Sequence, residues 1–173
     1  MEALRDDVSM AKRTRELKPL TSEHEQALLL AFQLKKGLAG HSESAGAPKD
    51  LPGLLAIARR YEDQVFGTHT RAEEDLLGQY LSDTDMRRLM AEHAEMRHFL
   101  DAARGAQPPE MRTALARFAD LLERHVRWEE RELFPALEAV ISNDALAGLG
   151  HELERRLVIA QGELKQAQAA KRV

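Results

Sequence analysis

Cysteine is absent from the 173-residue chain, which excludes disulfides, thiolate zinc sites, iron-sulfur clusters and covalently attached c-type haem. Any metal must therefore be held by nitrogen and oxygen. Aromatic residues make up only 5%, and β-branched runs are scarce, so little in the chain favours strands. Positive charge is not in excess: the formal charge is -4 and the pI near 6.0, with Lys and Arg scattered among acids. That balance argues against a nucleic-acid partner. No uninterrupted apolar run reaches transmembrane length, and residues 1–18 lack the apolar centre of a signal peptide. The expectation is a cytoplasmic protein with no membrane partner.

What is abundant is Ala, Leu, Glu, Arg and Gln, with 43% hydrophobic and 31% charged residues overall. These proportions suit one all-α domain with a sizeable core. A charged segment over 1–18 precedes four long helices over 19–141, and a fifth helix with a tail occupies 142–173. The first helix is expected to open at Thr21 or Ser22, where Ser22-x-x-Glu25 reads as a capping box, and to end near Gly40. After a loop over 41–52, the second runs from about Gly53 to Tyr80. Ser82 caps the third, which reaches about Arg104. Pro109 and Glu110 suit the first turn of the fourth, which continues to about Ile141 with a bend at Pro135. Ser142 caps the fifth, whose apolar side is free to fold onto its own bundle or onto a second copy, making the protein a monomer or homodimer.

One phrase occurs twice. His69-x-x-x-Glu73-Glu74-x-x-Leu77 is repeated as His125-x-x-x-Glu129-Glu130-x-x-Leu133, and a Glu-His pair stands upstream of each copy, Glu23-His24 and Glu92-His93. With 19 glutamates in the chain, a single His-x-x-x-Glu is expected about once by chance, whereas two copies in matching context are roughly a one per cent coincidence. On a helix this spacing sets imidazole and carboxylate one turn apart on one face, the arrangement needed to grip a shared ion. The same faces carry Phe118, Leu122 and Leu133 beside His125, Met86, Leu89 and Met96 beside His93, and Leu20, Ala27 and Ala31 beside His24. The polar residues thus interrupt core stripes. His24 and His69 each lie about 16 residues, or roughly 24 Å of helix, from the first loop, and so share a level. Across the loop at Gly105 the match is looser, His125 lying about five residues deeper than His93.

Blander readings stand beside this one. Each His-x-x-x-Glu could be a surface ion pair, and His24 and His93 could be satisfied core histidines. Glu74, Glu130 and Glu62 read as solvated or supporting acids, His41 and His151 as surface residues. A metal-free helical bundle acting as an interaction module is the alternative function. A ferritin-like oxidase would need two Glu-x-x-His segments. The chain has one, Glu95-x-x-His98, with His98 about 140° round the helix from His93 and off the apolar face.

The order of one His, His-x-x-x-Glu, one His and His-x-x-x-Glu, together with Leu20-Thr21-Ser22-Glu23-His24 and Leu133-Phe134-Pro135, resembles the hemerythrin-like proteins, or HHE cation-binding domains. The resemblance covers about residues 19–139. It implies an up-down-up-down four-helix bundle around two carboxylate-bridged non-haem iron ions, with Mn or Zn as possible substitutes. One iron would take His24 and His69, the other His93 and His125, with Glu73 and Glu129 bridging. The implied function is to bind, sense or react with oxygen, nitric oxide or peroxide, or to hold iron, more in the manner of a ligand-binding protein than of a dedicated enzyme. Oxygen-carrying hemerythrins have a further histidine one turn after the third-helix ligand. Arg97 stands there, and is expected to face the site and pair with Glu130 or a site carboxylate.

Overall fold

The computed structural model describes residues 14–159 and residue 162. All regular elements among these residues are helical: α1 (Lys18–Leu38), a one-turn α2 (Ser42–Ala45), α3 (Leu51–Tyr61), α4 (Gly67–Leu76), α5 (Asp83–Ala103), α6 (Pro108–Trp128), α7 (Phe134–Val140) and α8 (Asn143–Leu153). A π turn at Glu62–Phe66 joins α3 to α4, another at Glu129–Leu133 joins α6 to α7, and a third at Glu154–Ile159 extends α8. Four rods result: α1, α3 with α4, α5, and α6 with α7. The α1 rod packs against α3 and α6, and α5 packs against α4 and α6, which closes an up-down-up-down four-helix bundle of the hemerythrin-like kind. The tail of the expected C-terminal segment and most of the expected charged N-terminal segment lie outside the described residues.

The start of α1 differs from expectation. The helix begins at Lys18 behind a 3₁₀ turn at Arg15–Leu17, with Leu17 at the N-cap and no side-chain cap. Pro19, pre-set for a first helical turn, moves the start upstream, so Ser22 and Glu25 sit inside the helix and form no capping box. Ser82 and Ser142 do cap α5 and α8, accepting from the backbone N–H groups of Asp85 and Ala145. Gly105 ends the turn after α5 at φ 69°, a conformation that suits glycine. The depth mismatch between His93 and His125 is taken up by α6 overhanging α5: its first buried residue is Ala114, and Arg112 reaches across to donate to the Leu38 carbonyl.

The π turns position the site. In the second of them, Phe134 N–H bonds to the Glu129 carbonyl five residues back, which places Glu129 and the following Glu130 both indoors. It also loosens the backbone directly before Pro135, whose ring would otherwise collide with the preceding α-helical turn. The first does the same for Val65 and Phe66, just ahead of His69.

Two apolar clusters fill the bundle. One gathers Leu34, Leu54, Leu100, Leu115, Phe118 and their neighbours. The other gathers Leu17, Leu20, Leu89, Phe134 and Leu137, and includes the α8 stripe Leu146, Leu149, Leu153 and Leu157. The fifth helix therefore folds onto its own bundle. It lies so close to the Arg15–Leu17 turn that a Cβ at Gly150 would sit 2.9 Å from the Glu16 Cα, and Arg156 ties it to Asp75 of α4 at 2.8 Å.

Candidate metal centre

Between the two apolar clusters lies a polar layer. His24 from α1, His69 and Glu73 from α4, His93 from α5, His125 from α6 and Glu129 from the second π turn are all at most 5% exposed. They divide into two sets of four, His24, His69, Glu73, Glu129 and Glu73, His93, His125, Glu129, in each of which the ligand-type atoms lie within 4.8 Å of one another. The structure thus brings all six expected residues together.

The internal distances show what these atoms face. The Nε2 atoms of His24 and His69 are 3.2 Å apart, and those of His93 and His125 are 3.0 Å apart. Glu73 places Oε1 3.1 Å from His69 Nε2 and Oε2 3.3 Å from His93 Nε2. Glu129 places Oε2 3.2 Å from His24 Nε2 and Oε1 3.1 Å from His125 Nε2. Each carboxylate thus spans the two histidine pairs with one oxygen apiece. Bond lengths near 2.1 Å at right angles put neighbouring donors about 3 Å apart. These contacts are short, yet all four carboxylate oxygens are buried without an aligned hydrogen bond. Atoms that crowd without pairing are aimed at a third body. An orphaned buried carboxylate is costly to fold, and a cation shared between the oxygens removes the cost.

Behind each imidazole stands another glutamate. The Nδ1–H of His24 donates to Glu130 at 2.8 Å, that of His69 to Glu23 at 2.7 Å, that of His93 to Glu74 at 2.8 Å and that of His125 to Glu92 at 2.7 Å. A carboxylate can only accept, so Nδ1 carries the proton and Nε2 is the nitrogen turned inward. This is the partnership that orients metal-bound imidazoles and strengthens them as donors. The set has pseudo-twofold symmetry: His69 and His125 use the acid directly before the ligand histidine of the preceding rod, while His24 and His93 use the acid following a central glutamate. The sequence sets Glu23 and Glu92 beside His24 and His93 without assigning them partners, and of the two roles expected for Glu74 and Glu130, solvated or supporting, both take the supporting one. The signal is the repeat, which writes an acid beside each bridging glutamate and each lone histidine: Glu74 beside Glu73, Glu130 beside Glu129, Glu23 beside His24 and Glu92 beside His93.

Aromatic walls complete the seating. His24 stacks on Phe134 at 5.4 Å and 11°, His93 meets the Phe66 ring edge to face at 6.2 Å, and the centroid of Trp128 lies 6.0 Å from that of His125. Tyr61 is buried nearby. Desolvation, and then the charges of Glu23, Glu73 and Glu129, push its pKa well up and keep the phenol neutral.

Without metal, the layer holds protons. Burial is the largest influence on His69 and acts downward, but the charge of Glu73 and the hydrogen bond to Glu23 outweigh it and raise the pKa to about 9. For His125, burial again acts downward and is outweighed by Glu129 and Glu92, giving about 10. His24 is also raised well above its usual value. In Glu129 burial and the Glu73 charge push upward, and His125 and His24 override them to hold the carboxyl at about 2.

Arg97 does not face the cluster. Its side chain is 45% exposed and lies along the groove between α4 and α5, with Nη2 3.6 Å from Glu74 and Nη1 donating to Thr70 Oγ1 at 3.4 Å. A guanidinium on a long stem escapes the charged interior more readily than it stays there, so the pairing is with an outer acid and not with Glu130 or a central carboxylate. His41, His98 and His151 are exposed, and Glu62 pairs with Arg104 at the surface. No helix among the described residues is long and apolar enough to cross a membrane.

No curated protein and no solved structure matches this chain. The family model of the hemerythrin HHE cation binding domain matches residues 15–137 and, overlapping them, 84–157. Those spans take in all four rods and α8, with every histidine and carboxylate of the polar layer, and the chain belongs to the hemerythrin HHE cation-binding domain family.

Proposed function

We propose that the protein binds two iron ions in the polar layer and uses them on oxygen, nitric oxide or peroxide, or to hold iron. The observation that carries this reading is the set of four buried oxygens of Glu73 and Glu129, without aligned hydrogen bonds, set between two imidazole pairs. His24 and His69 would hold one ion, His93 and His125 the other, and Glu73 and Glu129 would bridge. Imidazole with carboxylate is a donor set that iron accepts, and Mn or Zn can take the same ligands. When bound, iron would supply one-electron and Lewis-acid chemistry toward a small ligand.

The chain's own residues do the rest. The four outer glutamates fix each imidazole by its Nδ1–H and leave Nε2 as donor. Two histidines and two carboxylate oxygens give four protein donors per position, fewer than an octahedral ion accepts, which leaves room for a small ligand. With Arg97 turned outward, no side chain among the described residues takes the place of a further histidine. Phe66 and Phe134 wall the layer beside His93 and His24, so that a bound ligand would meet fixed donors instead of bulk water.

Elemental analysis of protein purified from iron-supplemented cells tests the proposal. About two metal ions per chain are expected, and a protein free of iron, manganese and zinc would refute it.

A further inference from the structure

The pseudo-twofold symmetry of the polar layer breaks at its outer acids. Behind His24 and His69, the Glu130 and Glu23 side chains are 5% and 4% exposed. Behind His93 and His125, the Glu74 and Glu92 side chains are 22% and 19% exposed. Further contacts hold these acids in place. Glu130 accepts from the Thr21 hydroxyl at 3.1 Å, on the same oxygen that receives His24. Glu92 takes His125 on one oxygen and the Arg88 Nε–H on the other, at 2.9 Å, while Glu74 has Arg97 at 3.6 Å. Both arginines lie half in solvent, at 43% and 45%, on opposite flanks of α5. Arg88 also covers Trp128, its guanidinium carbon 4.0 Å from the ring centroid.

A hydrogen bond from imidazole to carboxylate is stronger in a dry, low-dielectric setting and weaker where water competes for the acceptor. An ion leaves a histidine site by losing one imidazole first, and the outer hydrogen bond is what holds that imidazole in line. From this difference we propose that the two metal positions are kinetically unequal: the ion on His93 and His125 exchanges with solvent through the α5 flanks, and the ion on His24 and His69 is the retained one. Arg88 and Arg97 are then positioning residues that clamp the acids of the exchanging half. The proposal rests on the dimetal reading above.

The test is zinc release. The full-length protein is loaded with zinc and mixed with an excess of a chromogenic chelator, and the rate is followed optically. Two phases of equal amplitude are expected, separated by about tenfold or more. Glu92→Gln should accelerate the fast phase by about tenfold, and Arg88→Ala by several-fold, both with the slow phase within about twofold of the parent; Glu23→Gln should accelerate the slow phase alone. Release of both ions in one phase, or a Glu92→Gln effect confined to the slow phase, would overturn the proposal while leaving two bound ions in place. A chain that takes up no zinc would overturn the dimetal reading and this inference together.

A second measurement needs no variant. In the cobalt-loaded parent protein the four Nδ1–H protons give separate shifted NMR signals. On transfer to heavy water, two should vanish well before the other two, and loss of all four at one rate would contradict the inequality.

Discussion

The apolar cluster around Phe118 and the polar layer around Glu73 are neighbours in one bundle, built from the same rods, and they hold together by opposite means. Around Phe118, Leu100 and Leu115 each residue is buried among hydrocarbon and satisfied by contact alone. Around Glu73 and Glu129 the chain buries four imidazoles and two carboxylates, and the carboxylate oxygens have no aligned partner. The apolar cluster stabilises the fold. The polar layer draws on that stability until a cation, or a set of protons, completes it. The site is therefore a cost placed between two sources of stability.

The largest effect belongs to the bridging acids. Glu73→Ala and Glu129→Ala should each abolish two-ion binding, as read by elemental analysis, because each removes a donor from both positions at once. The folded bundle should survive, since the variant also removes an orphaned charge. Next comes Phe118→Ala, which should cost about 3–5 kcal/mol in denaturant unfolding. The folded fraction should keep its full metal content, because Phe118 is part of the apolar cluster and supplies no donor. A variant that unfolds without metal loss and one that loses metal without unfolding would separate the two regions.

pH should move the two states of the protein in opposite directions. In the metal-free protein, His69 at about 9 and His125 at about 10 lie above their unfolded value of 6.5, so they contribute stability in full below pH 6.5 and lose it as pH rises through 9 to 10. Glu129, held at about 2 against an unfolded 4.5, contributes above pH 4.5 and loses that contribution as pH falls toward 2. Thermal unfolding of the metal-free chain should therefore peak between pH 4.5 and 6.5 and weaken above it. The zinc-loaded chain should instead gain stability from pH 6 to 9, because the imidazoles must shed protons to bind. Parallel slopes would contradict the assignment of the histidines to the metal. The smallest effect is expected at exposed histidines: His98→Ala and His41→Ala should leave metal content unchanged within error.

Much of this layout was legible in the sequence, because helical spacing is a local property. The His-x-x-x-Glu repeat and the core stripes locate all six central residues without knowledge of the fold, and Ser82 and Ser142 announce the helix starts that they cap. What failed depends on neighbours that are distant in sequence. Which acid receives each Nδ1–H is decided by the adjacent rod, so Glu23 and Glu92 could be seen beside their histidines but not assigned to His69 and His125. Arg97 was placed by counting along the helix, and its long side chain leaves that face for Glu74. The capping box at Ser22 was overridden by Pro19 one turn earlier. The π turns insert a residue into a helix that local propensity alone would run straight through, and they persist because packing then buries Val65 with Phe66 and Glu129 with Glu130.

Anomalous scattering from iron-soaked crystals would show whether two ions share one pair of carboxylates. Two peaks are expected inside the bundle, one beside His24 and His69 and one beside His93 and His125, with Glu73 and Glu129 between them. A single peak, or peaks only at surface histidines such as His98 or His151, would contradict it.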